Sequence, residues 1–158
     1  MTALIGALTS ATLSSLTDGR AFSKLDRYTD HSGNDWVFVL ASIAITQYDT
    51  VAIKANGNAA PITEALSKSN HQIGFAQVAF TAGDHGWVMA RGNPTIRAAA
   101  SCAVAVALYI TATAGVLDDA VTSQMIQGVV LGSAASAGGV SAVGAVAAYP
   151  TVRRAATL

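Results

Sequence analysis

The chain has 158 residues, no formal net charge and a charged fraction of 11%, against about a quarter in soluble domains. This composition argues against a nucleic-acid binder, which needs a basic patch, and against disorder, which combines high charge with low hydrophobicity. The length suits one domain with a real core, and the nearly uncharged, small-residue surface favours association with partners.

A few features of the sequence bear on the cellular compartment and on whether the chain spans a membrane. Cys102 is the only cysteine, so no disulfide forms within the chain and a reducing compartment suits it. The N-terminal sequence has no basic region before its apolar residues, which argues against a secretory signal. The uncharged stretches Ala98–Leu117 and Gly128–Tyr149 are long, but they consist mainly of Ala, Gly, Ser and Thr. We therefore predict strands there and no membrane span.

Residues 1–34 are predicted to form an N-terminal arm and a connection, residues 35–150 a β-barrel domain, and residues 151–158 a short C-terminal tail. Seven Ser and Thr residues among the first 17 weaken a helix in the arm. We expect an extended arm that orders against a neighbouring subunit, with a frayed terminus as the alternative. The candidate partner-binding residues of the arm are Leu4, Ile5, Leu8 and Leu16.

The rest of the chain divides at turn signals into short segments rich in apolar and β-compatible residues. The predicted strands begin at Trp36 and then cover 50–54, 59–63, 73–80, 87–91, 95–99, 104–110, 126–131 and 143–149. Gly74 and Gly128 are expected to mark bulges or close approaches. Many short strands separated by turns predict an all-β fold, a small barrel or sandwich.

The central predicted element is a β-hairpin from Gln72 to Gly92. Its turn lies at Gly83–Gly86, where Gly-Asp-His-Gly tolerates turn dihedral angles. Neither face of its first strand is clearly polar, so we expect this strand inside a closed sheet or sandwich.

No set of residues has the spacing of a catalytic or metal site, and we predict no enzyme, no metal and no cofactor. Adjacent Asp118 and Asp119 would point to opposite sides of a strand, so they fit a turn better than an acid–base pair. Cys102 is expected to be a small buried residue. The histidines lie near predicted turns without zinc-ligand spacing: His31, His71 and His85. Trp87 is predicted to lie in the core or at a subunit contact.

Several short motifs follow one another in a characteristic order. They are Ala60-Pro61-Ile62-Thr63, Ile73-Gly74-Phe75-Ala76-Gln77, Gly86-Trp87-Val88 with Gly92, Leu108-Tyr109, Thr113-Ala114-Gly115-Val116-Leu117-Asp118 and Ile126-Gln127-Gly128-Val129-Val130-Leu131. Over residues 48–150 this order resembles the small β-barrel proteins encoded among the head genes of tailed bacteriophages, the capsid cement or decoration proteins. The first 35 residues are not covered.

The resemblance implies a β-tulip-like or related barrel on the outside of the mature capsid. Such a protein binds across neighbouring major capsid subunits, often as a dimer or trimer, and braces the head against internal DNA pressure. It would be made in the host cytoplasm, carry no catalytic residues and contact neither nucleic acid nor membrane. Two other expectations stay open: a tail or fibre component with the same barrel, and a carbohydrate-binding module that uses Trp87 and Tyr109.

Overall fold

The computed structural model describes residues 22–69 and 71–153, and it confirms the all-β prediction. Its strands are β1 (Arg27–Thr29), β2 (Asp35–Ala41), β3 (Thr50–Ile53), β4 (Asn58–Pro61), β5 (Gln72–Ala76), β6 (His85–Gly92), β7 (Thr95–Ala98), β8 (Leu108–Ile110), β9 (Leu117–Asp118), β10 (Met125–Leu131) and β11 (Ser141–Arg153). One short helix, α1 (Glu64–Ser67), begins after Thr63, whose hydroxyl accepts the Leu66 amide. No helix in the described ranges is long and apolar enough to cross a membrane.

The strands form one sheet that closes on itself twice. In ring 1, β2, β4, β3, β5 and β6 pair in that order and β6 returns to β2. In ring 2, β11, β10, β8, β9 and β7 pair in that order and β7 returns to β11. β1 pairs with β2 outside ring 1. Closure satisfies the backbone groups that an open sheet leaves unpaired at its edges.

The long strand β11 joins the two rings. Along one side it pairs successively with β7, β6 and β5, and along the other it pairs with β10. Because its first part closes ring 2 while its second part lies against ring 1, β11 fixes the two rings relative to each other.

Each ring has its own hydrophobic core, and β5 supplies side chains to both. Ile73 and Phe75 point into the ring-2 core, whereas Ala76 points into the ring-1 core. This confirms that the first strand of the hairpin is buried on both faces. The ring-1 core consists of Val37, Val39, Ala41, Ile45, Val51, Ile53, Ala59, Ala76, Phe80, Val88 and Ala90.

A third cluster covers the outer face of β2 and β6. It contains Trp36, Phe38, Trp87 and Met89, with Phe22 and Tyr28 packed against them. The Trp87 ring centroid lies 5.0 Å from that of Phe22 and 5.2 Å from that of Phe38. Both pairs are edge-on, which is one of the geometries that aromatic rings prefer.

The predicted pairing of the two hairpin strands is confirmed, but the first strand is shorter and the predicted turn at Gly83–Gly86 is partly wrong, because His85 and Gly86 already belong to β6 and pair with β2. β5 pairs with β6 through Phe75 opposite Met89 and Ala76 opposite Val88. β5 ends at Ala76, and Phe80 instead forms an isolated bridge with Ile45.

Both predicted glycine positions are confirmed. A Cβ on Gly74 would lie 2.9 Å from the Val88 side chain, so glycine lets β5 approach β6 closely. Gly128 has a φ of +84° and lies at a bulge, where it faces the three residues from Ala148 to Pro150 of β11. Pro150 is tolerated in β11 because the ladder to β10 is interrupted there.

The predicted strand over residues 104–110 is wrong in its first half, because β8 covers only Leu108–Ile110. Val104 and Val106 are exposed, and Ala105 has a φ of +57°. Alternating valine and alanine thus belong to a turn here, since a small-residue run has too little side-chain volume to specify a buried strand face.

Paired strands extend beyond both ends of the predicted barrel domain at residues 35–150. β1 lies within the segment predicted as arm and connection, and β11 continues past Pro150 into the predicted tail. Tyr28 of β1 packs on the aromatic cluster, so this part of the connection belongs to the folded body.

Candidate interaction surface

The outer sides of β10 and β11 form an exposed face with no acidic residue among its outward positions. Inward residues of both strands belong to the ring-2 core, while the alternate residues point outward. We call these outward residues the β10–β11 face: Gln127, Gly128, Val130, Ala142, Gly144, Val146, Ala148, Tyr149, Thr151 and Arg153.

Two valines lie directly opposite each other near the middle of this face. Val130 pairs with Val146 in the ladder, and they are 40% and 53% exposed. Small residues flank Val146 along β11, at Gly144 and Ala148. A partner can therefore approach the sheet closely here and bury the valines.

The bulge turns Tyr149 onto the same face. Tyr149 has a φ of +47°, so it follows Ala148 outward instead of alternating inward. A non-glycine residue in this left-handed region is uncommon and needs contacts that hold it. The side chain of Tyr149 makes such contacts.

The contacts of Tyr149 converge on Asp35. The Tyr149 hydroxyl donates a hydrogen bond to Asp35 Oδ2, which also receives Arg91 Nε at 2.8 Å. Thr29 Oγ1 donates to Asp35 Oδ1 at 2.5 Å. The guanidinium carbons of Arg27 and Arg91 lie 5.9 Å and 5.8 Å from the Tyr149 ring centroid, within cation–π range. This Asp35–Tyr149 cluster ties β11 to β1, β2 and β6.

The cluster shifts the pKa values of two groups in opposite directions. Hydrogen bonds from Thr29 and Tyr149, with a further contribution from Arg91, hold the pKa of Asp35 below its ordinary value. The hydrogen bond to Asp35 raises the pKa of Tyr149. Both shifts favour the same state, an ionised Asp35 beside a protonated Tyr149.

The Asp35→Asn variant should lose about 1–3 kcal/mol of unfolding free energy at pH 7, because the hydrogen bonds to a buried charge are lost. Asp35 has a lowered pKa in the folded state. Its stabilisation is therefore complete above the unfolded value of about 3.9 and is lost as pH falls through the lower folded value. Urea unfolding at several pH values should show the gap between wild type and variant closing in acid.

The Asp26→Asn variant is the control for this series, because its exposed carboxylate accepts the Ser23 amide at the surface. We expect it to follow the wild type closely. A gap between wild type and Asp35→Asn that persists unchanged to low pH would contradict the role assigned to Asp35.

A second cluster brings Cys102 close to Asp118 and Asp119. One ligand atom from each lies within 4.8 Å of the others, the one such group of three among residues 22–69 and 71–153. Asp118 ends β9 and Asp119 follows it in a bend, which fits the predicted turn and allows both carboxylates to lie near Cys102. Asp119 Oδ2 accepts the Ala103 amide at 2.8 Å and Asp118 Oδ1 accepts the Asp119 amide, so both carboxylates hold the local backbone.

The Cys102 thiol is expected to be unreactive, as burial and the nearby Asp119 raise its pKa to about 11. Cys102 is fully buried, as predicted. At pH 8 a thiol-specific disulfide reagent should label native protein at least about a hundredfold more slowly than urea-unfolded protein. Equal labelling rates in the two states would contradict this environment.

The other predicted residues lie apart from this face. Trp87 is 1% exposed in the aromatic cluster, so it is a core residue and presents no open surface to a partner or a sugar. Tyr109 lies on β8 of ring 2, opposite Met125, and does not join Trp87 in a shared site. Leu4, Ile5, Leu8 and Leu16 lie outside the described residues.

Comparison with protein-family models, with curated proteins and with solved structures found no match.

Proposed function

We propose that this protein is a decoration protein of a tailed bacteriophage: a virion structural protein that binds the outside of the capsid across neighbouring major capsid subunits and stabilises the head. The observation that carries the proposal is the β10–β11 face, an exposed sheet surface with paired valines and no acidic residue. The order of short motifs in the sequence supports the same role.

The architecture suits a bracing protein. Both rings are closed, and β11 contributes to both, so the body presents a rigid wall rather than a flexible edge. A protein that binds the assembled shell better than its separated subunits stabilises the assembly by mass action. Association of the copies as a dimer or trimer would further strengthen modest individual contacts through multivalency.

The carbohydrate-binding alternative has lost its main support, because the Trp87 ring is buried. A stacking platform for a sugar needs an aromatic face open to solvent. The tail or fibre alternative shares the same barrel and is separated by the experiment that follows.

The proposal is tested by fractionating the particles of the phage that encodes this chain. Heads and tails are separated on a density gradient and each fraction is analysed by quantitative mass spectrometry. We expect the chain in the head fraction at a fixed ratio to the major capsid protein. Recovery with tails would favour the tail or fibre role, and recovery with neither would overturn the proposal.

A further inference from the structure

We propose that the β10–β11 face docks an acidic patch of its partner, whose carboxylates meet the arginines around Tyr149 and whose aliphatic side chains meet Val130 and Val146. The inference rests on the proposed function for the partner, the capsid shell. It adds the surface that binds and the chemistry that the shell presents to it.

The Tyr149 end of the face is positively charged. Arg27, Arg91 and Arg153 are exposed, and Arg153 lies two outward positions beyond Tyr149 on β11. The carboxylate in the Tyr149 cluster, Asp35, has a side chain only 11% exposed, and its oxygens already accept three hydrogen bonds. The three arginines outnumber Asp35 and the neighbouring Asp30, whose carboxylate accepts the Trp36 indole and the Asn34 side-chain amide, so this end carries an excess of positive charge.

The composition of this end is typical of an interface centre. Tyr149 is 47% exposed and the Arg91 side chain 46% exposed. Tyrosine and arginine are the residue types that most often carry binding energy in protein–protein interfaces. Tyr149 is already held by Asp35, so little conformational freedom is lost when a partner covers it.

The part of the face around Val146 favours an apolar contact instead. Val130 and Val146 are exposed side by side, and neighbouring outward positions are glycine or alanine. Aliphatic side chains of a partner can pack here without leaving a buried charge unpaired. A single partner surface with carboxylates beside aliphatic residues can therefore pair with the arginines around Tyr149 and pack on the two valines.

Two other occupants fit less well. A nucleic acid would set phosphates against the Val130–Val146 half, where no basic side chain points outward. A second copy docked through the same face has no carboxylate to offer the arginines, because the outward positions of β10 and β11 include none.

The test measures binding of the chain to shells that lack it, purified from cells infected by the same phage with the gene for this chain deleted, by co-sedimentation over a range of salt concentrations. Arg153→Glu and Val146→Asp should each weaken binding at least about tenfold. Arg153→Lys should retain most of it. Wild-type binding should weaken as salt rises, and Arg153→Glu should flatten that dependence. Thermal unfolding checks that each variant is folded.

Ile43→Asp is the matched control, because Ile43 is 54% exposed, like Val146, but follows the end of β2 opposite to Asp35. It should bind within about twofold of wild type. Wild-type-like binding by both Arg153→Glu and Val146→Asp would overturn the docking inference and leave the proposed function standing. Failure of the wild type itself to bind shells would overturn both. Competition by duplex DNA that is abolished in Arg153→Glu would overturn the acidic-partner inference in favour of a nucleic acid.

Discussion

Replacing Asp49 with alanine is expected to lower the free energy of unfolding by about 3–5 kcal/mol, because it leaves the Arg97 guanidinium without its partner in a largely buried ion pair. Arg97 Nη1 lies 2.6 Å from Asp49 Oδ1, and the side chains are 25% and 2% exposed. Asp49 Oδ2 also accepts the Thr46 amide at 2.8 Å. The pair links the turn before β3 of ring 1 to β7 of ring 2. Urea unfolding at pH 7 measures the loss.

Asp84→Ala is the matched control for Asp49→Ala. The Asp84 carboxylate accepts the backbone amide of Thr81 at 2.8 Å, three residues earlier, in the same manner as Asp49 and Thr46. Asp84 is only half-buried, so its removal should cost about 1 kcal/mol. Equal losses in the two variants would mean that the ion pair with Arg97 contributes nothing beyond the turn.

The second large effect is expected at Phe75, where substitution by alanine should cost about 3–5 kcal/mol by leaving a cavity. Phe75 is fully buried, and it extends from β5 into the ring-2 core while its neighbour Ala76 faces the ring-1 core. The cavity would therefore open in the wall between the two rings, where neighbouring strands are held on both sides and relax little. Chemical unfolding followed by tryptophan fluorescence, which reports on Trp36 and Trp87 of ring 1, measures the loss.

Phe22→Ala removes the same ring from a partly buried position over the aromatic cluster, and it should cost clearly less than Phe75→Ala. A larger loss of unfolding free energy for Phe22→Ala than for Phe75→Ala would contradict the role of β5 as the wall between the two cores.

Much of the fold follows from local patterns in the sequence. The run Ile73–Phe80, in which neither face is clearly polar, predicts a strand inside a closed sheet, and its first part, within β5, lies between two cores. The glycine at 128 predicts a bulge for a physical reason, because a left-handed φ favours a residue without a Cβ. Such features depend on a few neighbouring residues.

The interaction surface could not be predicted in the same way, because it depends on residues far apart in the chain. Asp35 and Tyr149 are separated by 114 positions, and no local spacing relates them. The exposed role of Val146 follows from the register between β10 and β11, which the bulge at Gly128 shifts. The alternation around Val104 and Val106 predicts a strand, but the strand β8 begins only at Leu108. The preceding residues lie in a turn, because no neighbouring strand forms a ladder with that part of the described chain.

Image reconstruction of the particle that carries this chain is the most direct test of the proposed decoration of a phage head. We expect density for a body of two closed rings on the outside of the shell, with the β10–β11 face turned toward the major capsid subunits. A shell whose outer surface carries no density for this chain would contradict the proposed function.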